Sequence, residues 1–86
     1  MDFTLERLGE GRWRVNGALR LDEFRRECPS LGEVSEADTV GGLLAARLEE
    51  VPQRDQSIVF RGLRLTALKA DPRRVYEVLV ERIKKR

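Results

Sequence analysis

The chain predicts an α+β fold, two helices packed on a mostly antiparallel sheet. Three observations lead there. Apolar residues recur at helical spacing in two stretches, 21–28 and 38–51. Runs at 10–20, 57–70 and 75–83 read instead as extended chain. Turn signals, Asn16-Gly17, Arg61-Gly62 and Asp71-Pro72, punctuate the extended runs. One sheet and one helical layer is the simplest arrangement that buries both apolar faces.

Residues 1–9 read as an opening segment in which Phe3, Leu5 and Leu8 are able to pack. In Arg12-Trp13-Arg14-Val15 the apolar residues alternate with arginines, the period of a half-buried strand. Asn16-Gly17 is a turn dipeptide because both residues tolerate positive φ. Ala18-Leu19-Arg20 reads as a short continuation of the strand. Residues 21–28 read as a short helix with Leu21, Phe24 and Cys28 on one face. Asp22 and Glu23 sit at its positive end, and Pro29 stops it. Residues 29–37 are a polar loop.

The next helix is capped by Asp38 or Thr39, whose side chain accepts an otherwise unpaired N–H. Val40, Leu43, Leu44 and Leu48 then share a face, with Val51 following. Arg47 and Glu49-Glu50 take the exposed side, and Val51-Pro52 closes the helix. Residues 53–56 turn into a strand, Ser57–Phe60. Arg61-Gly62 is a two-residue hairpin loop, and Leu63–Ala70 is the returning strand. Asp71-Pro72-Arg73-Arg74 turns again, with Pro72 where its fixed φ fits. The last strand is Val75–Ile83. Strict alternation puts Tyr76, Val78 and Val80 on one face and Val75, Glu77, Leu79 and Glu81 on the other.

At 86 residues the chain is a single domain, residues 1–86. Burial and chain entropy nearly cancel at this size, so marginal stability, or support from neighbouring domains or a second subunit, is expected. No apolar run is long enough to cross a membrane as a helix. Met1-Asp2-Phe3-Thr4 has neither the basic region nor the apolar core of a signal peptide. Seventeen basic residues face fifteen acidic ones with the signs interleaved, which argues against nucleic acid as a partner. The one concentration of charge is Arg82, Lys84, Lys85 and Arg86. It reads as a solvated terminus, with attraction to an acidic lipid surface or partner as the alternative.

Histidine is absent and cysteine occurs once, so neither a Ser-His or Cys-His pair nor a Cys/His zinc site is available. Cys28 reads as a small buried apolar group. Glu49 and Glu50 are adjacent and diverge on a helix. Glu33, Glu36 and Asp38 could offer oxygen ligands, but they lack the glycine and regular spacing of a cation loop. No catalytic residue and no metal ligand is assigned. Trp13 between Arg12 and Arg14 reads as a core residue on a strand before it reads as a base-stacking platform.

Asp38-Thr39-Val40-Gly41-Gly42-Leu43 is the most distinctive stretch, because two glycines in a first helical turn cost about 1 kcal/mol each against alanine. Close backbone packing would compensate. An anion cradle of free N–H groups at the helix start is the other reading, although the lysine of a phosphate loop is missing.

Several of these segments, in order, resemble one family. Gly11-Arg12-Trp13-Arg14-Val15-Asn16-Gly17 is similar to the G-x-W-x-V-x-G opening of the CorC/HlyC transporter-associated domain. Leu21-Asp22-Glu23-Phe24 looks like its L-D-E-L/F helix, and Asp38-Thr39-Val40-Gly41-Gly42-Leu43-Leu44 resembles its D-T-V/L-G-G-L motif. Val51-Pro52, Phe60-Arg61-Gly62-Leu63-Arg64-Leu65 and Asp71-x-Arg73-Arg74-Val75 resemble its I/V-P, Y-G-G-L-R-F and D-x-R-R-I segments. The resemblance covers about residues 9–83. Arg61 departs from it, standing where the pattern has glycine.

The resemblance implies a non-catalytic accessory domain at the C-terminus of a larger bacterial membrane protein. Such proteins carry a CBS-domain pair, often a transmembrane region, and are linked to magnesium and cobalt efflux or labelled hemolysin-like. The expected role is docking to the CBS domains or a second subunit, including a homodimer, on the cytoplasmic side of the inner membrane. Val59, Tyr76 and Leu79 are the expected contact residues. The family fold also resembles part of the PCMH-type FAD-binding fold. That implies an alternative, an FAD or adenine-nucleotide module held at Thr39, Val40, Gly41 and Gly42.

Overall fold

The computed structural model describes residues 4–83, so Phe3 and the Lys84–Arg86 run lie outside the described residues. Within them the chain order is β1 (Leu5–Gly9), β2 (Arg12–Asn16), α1 (Leu21–Glu27), a 3-10 turn (Pro29–Leu31), α2 (Val40–Arg47), β3 (Ser57–Phe60), β4 (Leu63–Asp71) and β5 (Arg74–Arg82). The strands form one sheet in the order β1-β2-β5-β4-β3. Every pairing in it is antiparallel.

The alternation in β2 sends Trp13 and Val15 to the helical side. There Trp13 lies across from Val80 and Val15 from Val78. Leu65 and Ala67 of β4 face the same two valines from the other side. α1 adds Leu21 and Phe24, and α2 adds Val40, Leu43 and Leu44, all buried. The Phe24 ring meets Trp13 edge-on, with centroids 5.6 Å apart. Each large side chain buried this way contributes about 1.5–3 kcal/mol against its exposed state.

Four expectations are corrected. Residues 5–9 are a strand and not merely an opening segment. Only Leu5 is half-buried, Leu8 faces solvent, and a bulge after Arg7 breaks the register. An edge strand with no apolar alternation carries no period-two signal. Residues 18–20 do not continue β2, because the Asn16 side chain accepts from the Ala18 N–H and turns the chain out of the sheet. The loop after Pro29 is not wholly polar, since its 3-10 turn buries Leu31. α2 ends at Arg47, well before Val51, which is exposed. Glu49 and Glu50 would lie at the negative end of a longer helix, where acidic groups are unfavourable.

A fifth correction concerns Tyr76. β4 and β5 shift register twice, between Ala67 and Lys69 and between Lys69 and Ala70. Val75 pairs with Ala70 and Glu77 with Lys69, so Tyr76 falls out of the ladder. Val75 is 3 % exposed and Tyr76 44 %. Val75, not Tyr76, therefore joins Val78 and Val80 in the core.

The start of α2 rests directly on backbone. A Cβ built on Gly41 would lie 2.6 Å from the Val75 carbonyl oxygen and 2.9 Å from that of Gly17. On Gly17 it would lie 2.1 Å from the same Val75 oxygen. Neither position has room for a side chain. Gly42 is different: its Cβ would meet the Thr39 hydroxyl at 2.9 Å, and that hydroxyl is the helix cap, accepting from the Gly42 N–H.

The 31–36 loop is held by two arginines that flank one ring. Arg61, at φ +50 in the β3–β4 turn, donates through Nη1 to the carbonyls of Leu31 and Glu33 at 2.8 and 2.6 Å. Arg47 of α2 donates to both carboxylate oxygens of Glu36. Their guanidinium carbons lie 4.7 and 4.9 Å from the centroid of the buried Phe60 ring.

Two expectations follow for unfolding. Gly41→Ala will cost about 3 kcal/mol, the scale of overpacking against atoms that cannot retreat. Gly42→Ala will be near neutral, because a weakened cap of about 1 kcal/mol is offset by alanine's helix propensity. Urea titrations of the two variants check this. Arg61→Gly will relieve left-handed strain yet free the loop, so amide exchange at residues 31–36 will quicken while the melting temperature barely moves.

Candidate functional site

The same crossing that excludes side chains at Gly17 and Gly41 leaves a groove beside it. Gly17 donates its N–H to the Tyr76 carbonyl at 2.7 Å, and Gly41 donates to the Gly17 carbonyl at 2.9 Å. These bonds draw the turn after β2, the start of α2 and the bulge of β5 to one place. Between them lies a groove of about 350 Å³, lined by Gly17, Thr39, Gly41, Gly42, Ala45 and Val75 together with Arg73, Arg74 and Tyr76.

Asp71 shapes the rim. Its Oδ1 accepts from the N–H groups of Arg73 and Arg74 at 2.8 and 3.1 Å, and its Oδ2 accepts from the Tyr76 hydroxyl at 2.6 Å. The Tyr76 hydrogen bond, followed by the Arg73 N–H, holds the Asp71 carboxyl below its ordinary pKa. The same bond pushes the Tyr76 phenol up, because its proton is the one shared. Asp71 forms no salt bridge with either guanidinium, and the charge of Arg74 is a smaller influence on it than these hydrogen bonds. Arg73 and Arg74 are in no salt bridge among the described residues, and Arg74 stacks 5.6 Å from the Tyr76 ring centroid.

The amides at the start of α2 are already committed. Val40 donates to Leu19, Gly41 to Gly17, Gly42 to the Thr39 hydroxyl and Leu43 to the Thr39 carbonyl. None of these N–H groups is left to face an anion. Thr39, Gly41 and Gly42 line the groove, whereas Val40 is fully buried.

The expected contact residues do not form one patch. Tyr76 is on the groove. Val59 is 60 % exposed on the edge strand β3. Leu79 lies half-buried mid-sheet, between Arg14 of β2 and Thr66 of β4. Leu79 and Val59 share the sheet face away from the helices, and charge laces that face. Arg12 pairs with Glu81 at 3.3 Å and Arg14 with Glu6 at 2.9 Å. Glu77, 7 % exposed, lies between Arg14 and Lys69 at 3.5 and 3.7 Å.

Cys28 is buried, with its sulfur 3.5 Å from the Ser30 hydroxyl. Glu36 is bound to Arg47, and among the described residues no three His, Cys, Asp or Glu side chains gather as metal ligands would. The sequence places Arg73 and Arg74 in a turn and in the segment that resembles the family's D-x-R-R-I, with no link to the glycines of α2. That they line one groove with Gly41 is a long-range arrangement that no local pattern announces.

The family model described as the transporter associated domain, CorC_HlyC, matches residues 6–84. Hemolysin C of Brachyspira hyodysenteriae is 31% identical over 86 residues, 98% of this chain and 32% of that protein. The polyamine export protein of Escherichia coli K12 is 29% identical over 79 residues, 86% of this chain and 17% of that protein. This chain thus spans a third or less of the length of these relatives. The crystal structure of the CorC-associated region from Neisseria meningitidis MC58 superposes with a TM-score of 0.82 at 27% identity, covering 94% of this chain and all of that one.

The Asp71 turn makes a pH prediction. A carboxyl whose folded pKa is depressed stabilises the fold above its unfolded pKa and loses that contribution as pH falls through the folded value. Wild type will therefore melt above Asp71→Asn at pH 7. The gap will close as the pH drops below about 4. Melting curves of both proteins across pH 2–7 measure it.

Proposed function

The chain belongs to the CorC_HlyC transporter-associated domain family, and from that premise we propose that it is a non-catalytic accessory domain of a longer membrane-transport protein. It works by docking against the rest of that protein, on the cytoplasmic side of the membrane. The partner surface is the CBS-domain pair or a second subunit. The observation that carries this reading is the share of its relatives that the chain represents. It is a third or less of proteins named for export or hemolysis.

Two further features support it. The names of the relatives differ in cargo, polyamine in one and magnesium and cobalt in another, while the domain match persists. A shared part combined with different cargoes fits regulation better than cargo binding. The chain's own chemistry agrees: it has no histidine, and its one thiol is buried. In such a protein the charge-laced sheet face stays in water, and contact is made where apolar or unpaired groups are exposed.

An antiserum raised against this chain will detect, in membranes of the cell that makes it, a polypeptide several times 9.9 kDa. Cross-linking within that polypeptide will join this domain to the CBS pair or to a second copy. A lone soluble 9.9 kDa band, or no cross-link to either, overturns the reading.

A further inference from the structure

The groove at the start of α2 combines three properties that together specify an occupant. Its rim carries two adjacent guanidiniums, neither in a salt bridge among the described residues, with the Asp71 carboxylate acting on Arg74 from beyond salt-bridge distance; Arg12, Arg14 and Arg47 are each matched with a glutamate. Away from the arginines and Tyr76 its lining is mostly glycine and alanine, with Asn16, Thr39 and Val75, and the backbone crossing admits nothing larger at Gly17 or Gly41. The amides of those glycines are already donated within the protein.

We propose that this groove is a docking site for an extended acidic segment of the parent protein. The segment sets a carboxylate on Arg73 and Arg74 and lays a small apolar side chain against Gly41 and Ala45. This deepens the docking reading and rests on it.

Charge favours an anionic partner, since two arginines line the groove and Asp71, beside the rim and bonded to Tyr76, is the one carboxylate that offsets them. The committed amides select against a free phosphate, which would look for a cradle of N–H groups at the helix start. A guanidinium fork suits a carboxylate without that cradle. An exposed Arg–carboxylate pair is too weak by itself to hold a free acid. An occupant that also covers the apolar floor gains more, and that calls for a chain. Tethering in the same polypeptide supplies an effective concentration of about millimolar, enough for a contact of modest affinity.

The test is an amide NMR titration of the 86-residue chain with the blocked peptide Ala-Glu-Ala-Glu-Ala-Glu. Shifts are expected at Gly17, Gly41, Gly42, Ala45, Arg74 and Tyr76, saturating in the millimolar range. The double variant Arg73→Ala/Arg74→Ala will bind about tenfold more weakly. It keeps the N–H bonds to Asp71 and removes only exposed side chains, so it retains the fold. Arg25→Ala/Arg26→Ala removes the same charge from α1, where neither arginine has an ion pair among the described residues, and binding will be unchanged.

Equal loss in both double variants means general charge attraction and overturns the proposal. Displacement of the peptide by an equal concentration of inorganic phosphate overturns it too, in favour of a small-anion site. Cross-linking in the parent separates the two readings. If the Arg73/Arg74 variant still cross-links as wild type does, docking stands and the groove is not where it happens.

Discussion

The meeting of Gly17, Gly41 and Val75 is the constraint on which the rest of the structure depends. Three backbone segments approach there more closely than any side chain allows. The approach lets two hydrogen bonds form between elements far apart in sequence, Gly17 N–H to Tyr76 and Gly41 N–H to Gly17. Those bonds fix how α2 enters the sheet. Once α2 is placed, Val40, Leu43 and Leu44 reach the inner face of β5, and the core closes over Val78 and Val80. The helical cost of a glycine at 41 is therefore met by packing. Only Gly41 answers to that packing; Gly42 sits against its own cap.

The bulge in β4 and β5 belongs to the same arrangement. Without it Tyr76 would point into the core and Val75 out of it. The shift carries three consequences at once. It buries Val75 beneath the crossing, turns the Tyr76 hydroxyl to Asp71, and sets Lys69 opposite Glu77. The last point matters for the uncovered face of the sheet. A single sheet with helices on one side must keep its other side soluble. Here glutamates and arginines alternate across β1, β2 and β5, and the least exposed of them, Glu77, has a cation on each side. Individually such pairs contribute little, but as a network they fill the face with charge that matches itself.

Much of this was legible in the sequence where the signal is local. Thr39 caps α2 as its position before Val40 suggests. Arg61 and Gly62 both take positive φ, as a two-residue hairpin requires. Trp13 and Val15 alternate with arginines and go to the core. What was hidden is what depends on distant partners. Leu5 and Leu8 are three residues apart, so β1 lacks a strand's period and is held by β2. A bulge inserts a residue without changing composition, so strict alternation misassigns Tyr76. Leu31 sits in a polar run and becomes core only because the 3-10 turn aims it there. The groove is the extreme case. The glycines on its floor are conspicuous in sequence, but Arg73 and Arg74 join them only through the β4–β5 hairpin.

Arg61 shows how a departure from a familiar pattern can be a gain. In a turn that asks for glycine, an arginine at φ +50 carries backbone strain of roughly 1 kcal/mol. Seen from the hairpin alone, it is a defect. The loop across from it explains it. Residues 32–37 have no strand to pair with and pack only Val34 and Ala37 against the core, so side-chain bonds do much of the holding. Arg61 reaches two of their neighbouring carbonyls from the hairpin, and Arg47 reaches Glu36 from α2. Both guanidiniums lie against Phe60, so one buried ring sets the position of two cations. Gly32 completes the fit: at φ +71 it turns the loop, and a Cβ there would come within 3.0 Å of the Arg61 guanidinium. The strained arginine and the left-handed glycine are thus two halves of one contact, and neither is explained by its own turn.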